Sequence, residues 1–391
     1  MTSTNLKLPR LQPWWRGLLL LTVLGGCGGG VDSGGTGATV TYSSGPVSGY
    51  GSIIVNGVRF DDSSATVTDA DGAPRSKDDL KLGMVVEVRG SAVTSDGSGV
   101  AGSTASSIVI GSEIVGPIDT IASTSLIVLG RTIDVHPTTV FADGLTGGLL
   151  VLAAGDVVEI YGLYDASTDR VVATRIERKS SVPHMYRILG NVSSLDTQVK
   201  TFAIGSLQVS YSSIDPGDVP VNLGEGAIVR VRLDTSPSGQ VWAANRLRDG
   251  VSRPDNGFHS KVEGLISGYS PTGFSVGGVP VTIRESTTIV GAPANGVRVE
   301  VEGTFSNGAL AAATVEVESA SGDLEFEFLG PLTAVSTVTQ TITLQGVNID
   351  YSAAEYNVGD ASNLLVGANV KVKAILLNGT QLQASRIEFK N

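Results

Sequence analysis

The chain repeats one short signature at a nearly constant interval over most of its length. The signature begins with a glycine and two variable residues, continues with alternating apolar and polar residues, and ends on a small residue. Gly83-Met84-Val85-Val86-Glu87-Val88-Arg89-Gly90 is the first copy. Its first glycines are separated by 70 to 72 residues and are Gly83, Gly155, Gly226, Gly296 and Gly367. A fixed period over five copies indicates tandem units of one fold.

Two further elements keep step with this signature. About 20 residues after each first glycine comes an Ala-x-x-apolar motif, with Ala105, Ala173, Ala244, Ala312 and Ala384. Upstream, each copy contains a hairpin around a pair such as Asn56-Gly57 or Gly277-Gly278, which suits turns that require positive φ. The flanking residues alternate between apolar and polar, as in half-buried strands. Each copy therefore predicts about five short strands.

The order of these elements predicts the fold class. Five curled strands with a loop or helical turn between the third and fourth are typical of small barrels of the oligonucleotide/oligosaccharide-binding (OB) type. We therefore expect an all-β chain, a tandem array of about five small five-stranded OB-like β-barrel modules. Modules of this size are marginally stable alone, so end-to-end packing of neighbours is expected. The predicted modules span residues 45–110, 111–182, 183–258, 259–318 and 319–391.

The N-terminal segment predicts export. Residues 1–26 carry three basic residues and no acidic residue, and they include the apolar run from Gly17 to Leu24. That run is far shorter than the roughly 20 residues that cross a bilayer as a helix. The pattern is that of a signal peptide. Residues 27–44 are rich in Gly, Ser and Thr, with almost nothing to bury, and predict a flexible tether.

The only cysteine of the chain, Cys27, directly follows Leu24-Gly25-Gly26. These four residues resemble the lipobox of bacterial lipoproteins. The resemblance implies cleavage before Cys27, a thioether-linked diacylglycerol on it and acylation of its amine, which together hold a protein durably on a membrane. Gly28 rather than Asp follows, which by resemblance to Gram-negative lipoproteins favours the outer membrane. The alternative is an ordinary secreted protein with an incidental cysteine.

The first copy also resembles a known bacterial family. Gly45 to Phe60 (GPVSGYGSIIVNGVRF), followed by Leu82 to Val88 (LGMVVEV), is similar to the family called domain of unknown function 5666 (DUF5666). The other copies are similar in a looser way, and together they extend over nearly all of the chain after the tether. The resemblance implies an exported, often lipid-anchored β-repeat protein. It brings no catalytic residues with it.

The sequence contains no recognisable catalytic or cofactor motif. The three histidines, His136, His184 and His259, lie in different regions without partners at ligand spacing, so we expect surface or linker histidines. The one Gly-x-Ser-x-Gly match, Gly273 to Gly277, lies in a predicted hairpin and not at the strand-to-helix turn that a nucleophile elbow needs, and there is no phosphate-binding loop. We therefore expect no enzyme, no cofactor and no metal site.

The acidic residues give two weak patterns. Asp69-Ala70-Asp71-Gly72 faintly resembles a calcium loop, but Pro74 and Leu80 stand where such a loop needs Gly and a bidentate Glu, so a hairpin tip is preferred. Asp61-Asp62 and Asp78-Asp79 predict solvated loops, although an acid/base pair assembled across the fold stays open.

Charge excludes nucleic acid as the expected partner. The chain has a formal net charge of −11 and only 5 % aromatic residues. Binding of phosphate backbones needs excess positive charge, and single strands need clustered aromatic platforms.

Two sets of like charges occupy outward positions on equivalent strands of copies three and four. We call them the arginine ladder and the glutamate ladder. They could be solvated outer faces. Alternatively, the two ladders meet and fix the relative orientation of the copies, since exposed ion pairs contribute only ~0–1 kcal/mol each to stability. The ladders are Arg230, Arg232, Arg246 and Arg248, and Glu300, Glu302, Glu316 and Glu318.

These observations predict a non-catalytic, lipid-anchored protein of the bacterial cell envelope. Its partners would be the membrane, through the N-terminal anchor, and an envelope protein, a glycan or peptidoglycan. The repeated β-modules would serve binding or spacing. The alternatives are a carbohydrate-active or other envelope enzyme that uses scattered carboxylates, and an accessory subunit of a surface-assembly or secretion system.

Overall fold

The computed structural model describes residues 40–95, 101–181, 183–318 and 325–390. These residues belong to one compact unit built from β-strands with a few single turns of 3₁₀ helix. No helix in the described ranges is both long and apolar enough to cross a membrane. The strands form five successive barrels, numbered 1 to 5 below, as the repeat predicts.

Barrel 1 has the strand order that all five barrels share. Its first strand pairs with the second and the second with the third, both antiparallel. The third runs parallel to the last, and the strand Val85–Gly90, which follows the 3₁₀ turn, pairs with both the last and the first, which closes the sheet. The strands are β1 (Thr41–Tyr50), β2 (Ile53–Val55), β3 (Val58–Asp61), β4 (Thr66–Asp69), β5 (Val85–Gly90), β6 (Thr94–Ser95) and β7 (Ala101–Ile110), with a 3₁₀ turn at Lys77–Asp79.

Barrels 2 and 3 close in the same order. Barrel 2 contains β8 (Ile114–Ile121), β9 (Ser125–Val128), β10 (Arg131–Phe141), β11 (Val157–Asp165) and β12 (Arg170–Arg178), with a 3₁₀ turn at Gly148–Val151. Barrel 3 contains β13 (Tyr186–Asn191), β14 (Ser193–Asp196), β15 (Thr201–Ile204), β16 (Leu207–Ser210), β17 (Ile228–Leu233) and β18 (Val241–Asp249), with a 3₁₀ turn at Pro216–Asp218.

Barrels 4 and 5 repeat this closure once more. Barrel 4 contains β19 (His259–Ser270), β20 (Gly273–Val276), β21 (Val279–Thr282), β22 (Thr288–Val290), β23 (Arg298–Ser306) and β24 (Ala309–Val317). Barrel 5 contains β25 (Glu325–Ser336), β26 (Thr341–Leu344), β27 (Val347–Asp350), β28 (Glu355–Tyr356), β29 (Asn369–Leu377) and β30 (Gln381–Phe389), with a 3₁₀ turn at Ala361–Asn363.

The backbone explains why the signature repeats. All five leading glycines have φ between 76° and 90°, a region that side chains disfavour. Four of them donate their N–H to a carbonyl of the first strand of their barrel, as Gly83 does to Val47, and Gly226 donates to Val192, between β13 and β14. In four copies the small residue that ends the signature pairs with the alanine of the Ala-x-x-apolar motif, as Gly90 does with Ala105, beside a one-residue bulge. In the third copy Leu233 takes this position opposite Ala244. The signature therefore specifies the closure of each barrel.

The barrels are joined by strands that they share. The first half of β1 runs parallel to β19 of barrel 4, with Thr41 opposite His259. Its end runs parallel to β25 of barrel 5, with Tyr50 opposite Phe328. In addition, β8 of barrel 2 pairs with β13 of barrel 3. Packing is therefore not limited to neighbours along the chain, as end-to-end packing would be, because barrel 1 joins barrels 4 and 5.

The apolar cores follow the same connections. One core cluster contains residues of both barrel 1 and barrel 5, including Phe60 and Phe328. A second is common to barrels 2 and 3, including Ile160 and Ile188. A third fills barrel 4 and includes Tyr42 from barrel 1. Because apolar area is shared, the stability of one barrel depends on its neighbours.

The predicted tether, residues 27–44, extends too far. Residues 41–44 form the start of β1 and pair with β5 on one side and β19 on the other. Thr41, Tyr42 and Ser43 are buried. The Thr/Ser-rich sequence does not predict this strand because only one residue, Tyr42, makes an apolar contact. The strand forms because its backbone groups are hydrogen-bonded to a neighbouring strand on each side.

Candidate functional site

The predicted lipidation site lies outside the described residues. Leu24, Gly25, Gly26 and Cys27 all precede residue 40, where the description of the chain begins. The lipobox therefore stays a prediction from sequence.

Three arginines of the predicted ladder contact the turn that follows β4 in barrel 1. Arg232 Nε lies 3.9 Å from Asp71 Oδ2, and Arg246 Nη1 lies 3.8 Å from Asp71 Oδ1. Arg246 also donates to the carbonyl of Asp71, at 3.1 Å, and Arg248 donates to the carbonyl of Ala70, at 3.2 Å. The turn is a hairpin tip, as the sequence indicated, with Gly72 at φ 84°.

Arg230 and a further arginine contact the segment between barrels 1 and 2. Arg230 donates to the carbonyl of Ser112 and lies 3.5 Å from Glu113 Oε2. Arg187, which the ladder did not include, donates to Ser112 Oγ at 2.7 Å and to Asp71 Oδ2 at 2.5 Å. Burial raises the pKa of Glu113, and Arg230 partly offsets this effect. These arginines thus hold barrel 3 against barrel 1.

The glutamate ladder lies on barrel 4, and two of its four members pair within that barrel. Glu300 Oε1 lies 2.6 Å from Lys261 Nζ, and Glu302 Oε1 lies 3.0 Å from His259 Nε2. Glu316 and Glu318 are exposed and make no ion pair within the described ranges.

The prediction that the two ladders meet is therefore wrong about the partner. The arginines contact barrel 1 and the segment that follows it, whereas Glu300 and Glu302 pair with the first strand of their own barrel. Strand alternation shows which side chains point outward, but it does not show which barrel they meet.

Glu300 gives the chain a pH-dependent stability. Burial raises its pKa to about 7, and Lys261 offsets only part of that rise. The folded state therefore binds a proton that the unfolded state releases between about pH 4.5 and 7, so stability falls as pH rises through this window. We expect the free energy of unfolding of Glu300→Gln to exceed that of wild type by about 2 kcal/mol at pH 8. At pH 5 the two free energies should be equal.

Urea titrations of both proteins from pH 5 to pH 8 measure this difference. Glu316→Gln, an exposed residue of the same ladder, is the matched control and should run parallel to wild type. Parallel curves for Glu300→Gln would contradict the expected linkage.

Asn56 and Lys261 form a joint between barrels 1 and 4 that the sequence did not reveal. The Asn56 side-chain amide donates to Ser43 Oγ, to the carbonyl of Ser44 and to the carbonyl of Lys261, at 3.0 to 3.1 Å. Lys261 Nζ donates to the carbonyl of Asn56 at 2.9 Å. The pair Asn56-Gly57 predicts a hairpin turn from sequence. It gives no sign that the Asn56 side chain also binds barrel 4.

A cleft of about 750 Å³ lies where barrels 1, 2 and 5 meet. Its walls are held by Phe141 N–H, which donates to the carbonyl of Gly379 at 2.8 Å, and by Arg175 Nη1, which donates to the carbonyl of Leu82 at 3.2 Å. Tyr50 Oη donates to the carbonyl of Leu80 at 3.1 Å. Burial raises the pKa of Tyr50 to about 12, so its hydroxyl stays a neutral donor.

The lining of this cleft is mainly polar and of mixed charge. Aromatic rings, amides, lysines and carboxylates all face it, a mixture suited to a polar ligand without large net charge. Two of the carboxylates, Asp62 and Asp78, belong to the acidic pairs noted in the sequence. The lining includes Tyr50, Asp62, Lys77, Asp78, Lys81, Phe141, Asp143, Gln345 and Asn348.

The structure does not bring two of the histidines considered in the sequence into a cluster of metal ligands within the described ranges. His136 and His184 are exposed, as expected. Within the described ranges, no group of three or more His, Cys, Asp or Glu residues could hold a metal ion.

Comparison with known proteins places the chain in a family. Over 54 % of its length the chain is similar to a solved structure described as "drosophila Unr CSD456", of which 98 % is covered. The identity is 15 % and the TM-score is 0.13, too low to bear on fold or function. No curated protein matches. The family "Domain of unknown function (DUF5666)" matches residues 43–103, 115–177, 263–316 and 330–388, which leaves out barrel 3. Because these matches cover more than half of the chain, it belongs to the DUF5666 family.

Proposed function

We propose that this chain is a non-catalytic, lipid-anchored protein of the bacterial envelope whose five barrels form one binding body. The supporting observation is that β1 is shared with barrels 4 and 5. A spacer gains reach when each module contacts only its neighbours, as in solenoid arrays. Pairing of barrel 1 with barrels 4 and 5 shortens the molecule relative to such an array. It also places barrel 1 beside barrel 5, where the two barrels line a cleft together with barrel 2. These features favour a binding function over a spacer.

The cleft between barrels 1, 2 and 5 is the proposed binding site. Its mixed polar and aromatic lining suits an uncharged or zwitterionic envelope partner, such as a glycan, peptidoglycan or a polar protein segment.

Binding to purified peptidoglycan, by co-sedimentation of the full chain, is the first test. Phe141→Ala in barrel 2 and Asn348→Ala in barrel 5 should each weaken binding about tenfold. Thr339→Ala, outside the cleft, should leave it unchanged. Equal binding by all variants would reject the cleft as the site.

Anchoring through Cys27 is the second part of the proposal and rests on the lipobox resemblance. We expect Cys27→Ala to move the protein from the membrane fraction to the soluble fraction, because no acyl chain is then attached. Fractionation of cells together with metabolic labelling by palmitate measures this. Retention of Cys27→Ala in the membrane fraction would contradict the anchor.

An enzyme is the second candidate, because three carboxylates, those of Asp62, Asp78 and Asp143, line the same cleft. Paired carboxylates are the groups that glycoside hydrolysis requires. Turnover of an envelope glycan that is abolished by one Asp→Asn change, while binding persists, would favour the enzyme over the binding protein.

A further inference from the structure

A second groove, of about 550 Å³, opens beside the strand pairing between barrels 1 and 5. Beyond the paired residues Tyr50 and Phe328, β1 ends and the chain turns at Gly51 and Ser52. The groove is lined from barrel 1 by the turn after β1 and by Arg59 on β3. From barrel 5 it is lined by the middle of β25, by Lys371 on β29 and by Lys390 after β30. We call it the basic groove.

The charge of the basic groove is opposite to that of the chain. Three cationic side chains and no carboxylate are among its described lining residues, whereas the whole chain has a formal net charge of −11. All three, Arg59, Lys371 and Lys390, are half-buried. A local excess of positive charge with reduced access to water attracts anions more strongly than the same charges would on an open surface.

These cations keep donors available. Lys371 Nζ lies 2.8 Å from Glu327, and Lys390 Nζ lies 2.8 Å from Glu388, so each ammonium uses one of its three N–H donors on a carboxylate and keeps two. Arg59 Nε donates to the carbonyl of Gly51 at 2.5 Å, which fixes the guanidinium. Within the described ranges Arg59 makes no ion pair.

Two glycines let the walls of the groove approach each other. Gly51 has φ 111°, and a Cβ there would lie 2.3 Å from the carbonyl oxygen of Leu329. Gly330 has φ 144°, and a Cβ there would lie 2.6 Å from the side-chain amide of Gln345. That amide donates to the carbonyl of Leu329 at 3.1 Å, which holds the hairpin of barrel 5 in place. The shape of the groove is therefore built into the backbone.

We propose that the basic groove binds a phosphoryl group. The Arg59 guanidinium, oriented by Gly51, offers the planar fork that matches two phosphoryl oxygens. The ammonium groups of Lys371 and Lys390, although each is paired with a glutamate, supply further N–H donors. The phosphoryl group belongs either to free phosphate or to the headgroup of an anionic lipid. This site goes beyond the proposed function and holds whether or not Cys27 carries a lipid.

The test uses the full chain carrying Cys27→Ala, so that no acyl chain contributes to binding. One arm titrates inorganic phosphate and pyrophosphate by calorimetry. The other measures co-sedimentation with phosphatidylcholine vesicles, with and without phosphatidylglycerol. Binding in the first arm identifies a free anion, and binding to phosphatidylglycerol vesicles alone identifies a lipid headgroup.

Arg59→Gln should weaken binding at least tenfold, since a charge-assisted hydrogen bond is lost. Arg59→Lys should weaken it less, because it keeps the charge and loses the fork. The matched control is Arg386→Gln, an exposed arginine of barrel 5 outside the groove. Circular dichroism checks that each variant folds. The proposal is overturned if neither arm shows binding, or if Arg59→Gln and Arg386→Gln weaken binding by the same factor.

Discussion

We expect Tyr42→Ala to lower the free energy of unfolding of the chain by about 3 kcal/mol, the range found for large aromatic truncations in cores. The Tyr42 side chain belongs to β1 of barrel 1, yet it packs in the core of barrel 4 with Val262 and Phe305 and is 1 % exposed. The Arg89 guanidinium lies 5.5 Å from the centre of its ring. Removing the ring leaves a cavity at the joint between the two barrels.

Urea unfolding followed by tryptophan fluorescence and by circular dichroism measures this loss. Tyr42→Phe is the matched control, because it keeps the ring and removes only the hydroxyl, and it should cost less than about 1 kcal/mol. A residue in a flexible tether would tolerate both changes equally. A loss below about 0.5 kcal/mol for Tyr42→Ala would therefore contradict the assignment of residues 41–44 to a shared strand.

Asp71→Asn should have a comparable effect, about 3 kcal/mol, at the joint between barrels 1 and 3. The Asp71 carboxylate is 9 % exposed and lies within 4 Å of the guanidinium groups of Arg187, Arg232 and Arg246. Asparagine has the same shape but no charge, so the arginines lose their shared counter-ion. Removing one partner of a buried ion pair is strongly destabilising because the remaining charge is left uncompensated.

The control for Asp71→Asn is another aspartate paired with arginine. Asp255 is 71 % exposed and lies 3.8 Å from Arg89. Exposed pairs contribute little, so Asp255→Asn should change the free energy of unfolding by less than about 1 kcal/mol. Equal effects of the two changes in urea unfolding would mean that Asp71 does not hold barrel 3 on barrel 1.

The barrels themselves were predictable because their determinants are local. Positive φ at Gly83 and its equivalents, period-two alternation along β5, and the small pair Gly90 and Ala105 all lie within one copy of the repeat. Each requirement acts on the backbone or on immediate neighbours, so it recurs wherever the fold recurs. Five closed barrels of OB-like order follow from these patterns.

The joints between barrels were not predictable in this way. Asp71 meets Arg246, and Asn56 meets Lys261, across very long separations in sequence. Such contacts depend on single residues that occur once and leave no periodic signal. The same reason explains why the sequence predicts the wrong partner for the arginine ladder, and why it predicts a tether at residues 41–44, where the structure has a Thr/Ser-rich strand.

The contacts between barrels determine where ligands can bind. In an array of independent modules, several weak sites gain affinity through avidity. Here the 750 Å³ cleft needs barrels 1, 2 and 5, and the basic groove needs barrels 1 and 5. Sites of this kind belong to the assembled body, so we expect no single barrel to retain them.

Cysteine crosslinking of β1 to β19 is the most direct test of the shared strand. Thr41 and His259 are opposite each other in the parallel pairing, and Cys27, once replaced by alanine, leaves no other cysteine in the chain. Paired positions of neighbouring strands fall within the Cα separation that a disulfide requires. Ser270, at the far end of β19, is about 36 Å further along that strand. In the Cys27→Ala chain, mild oxidation should crosslink most molecules of Thr41→Cys/His259→Cys and almost none of Thr41→Cys/Ser270→Cys. Equally low crosslinking of both pairs would contradict the joining of barrels 1 and 4.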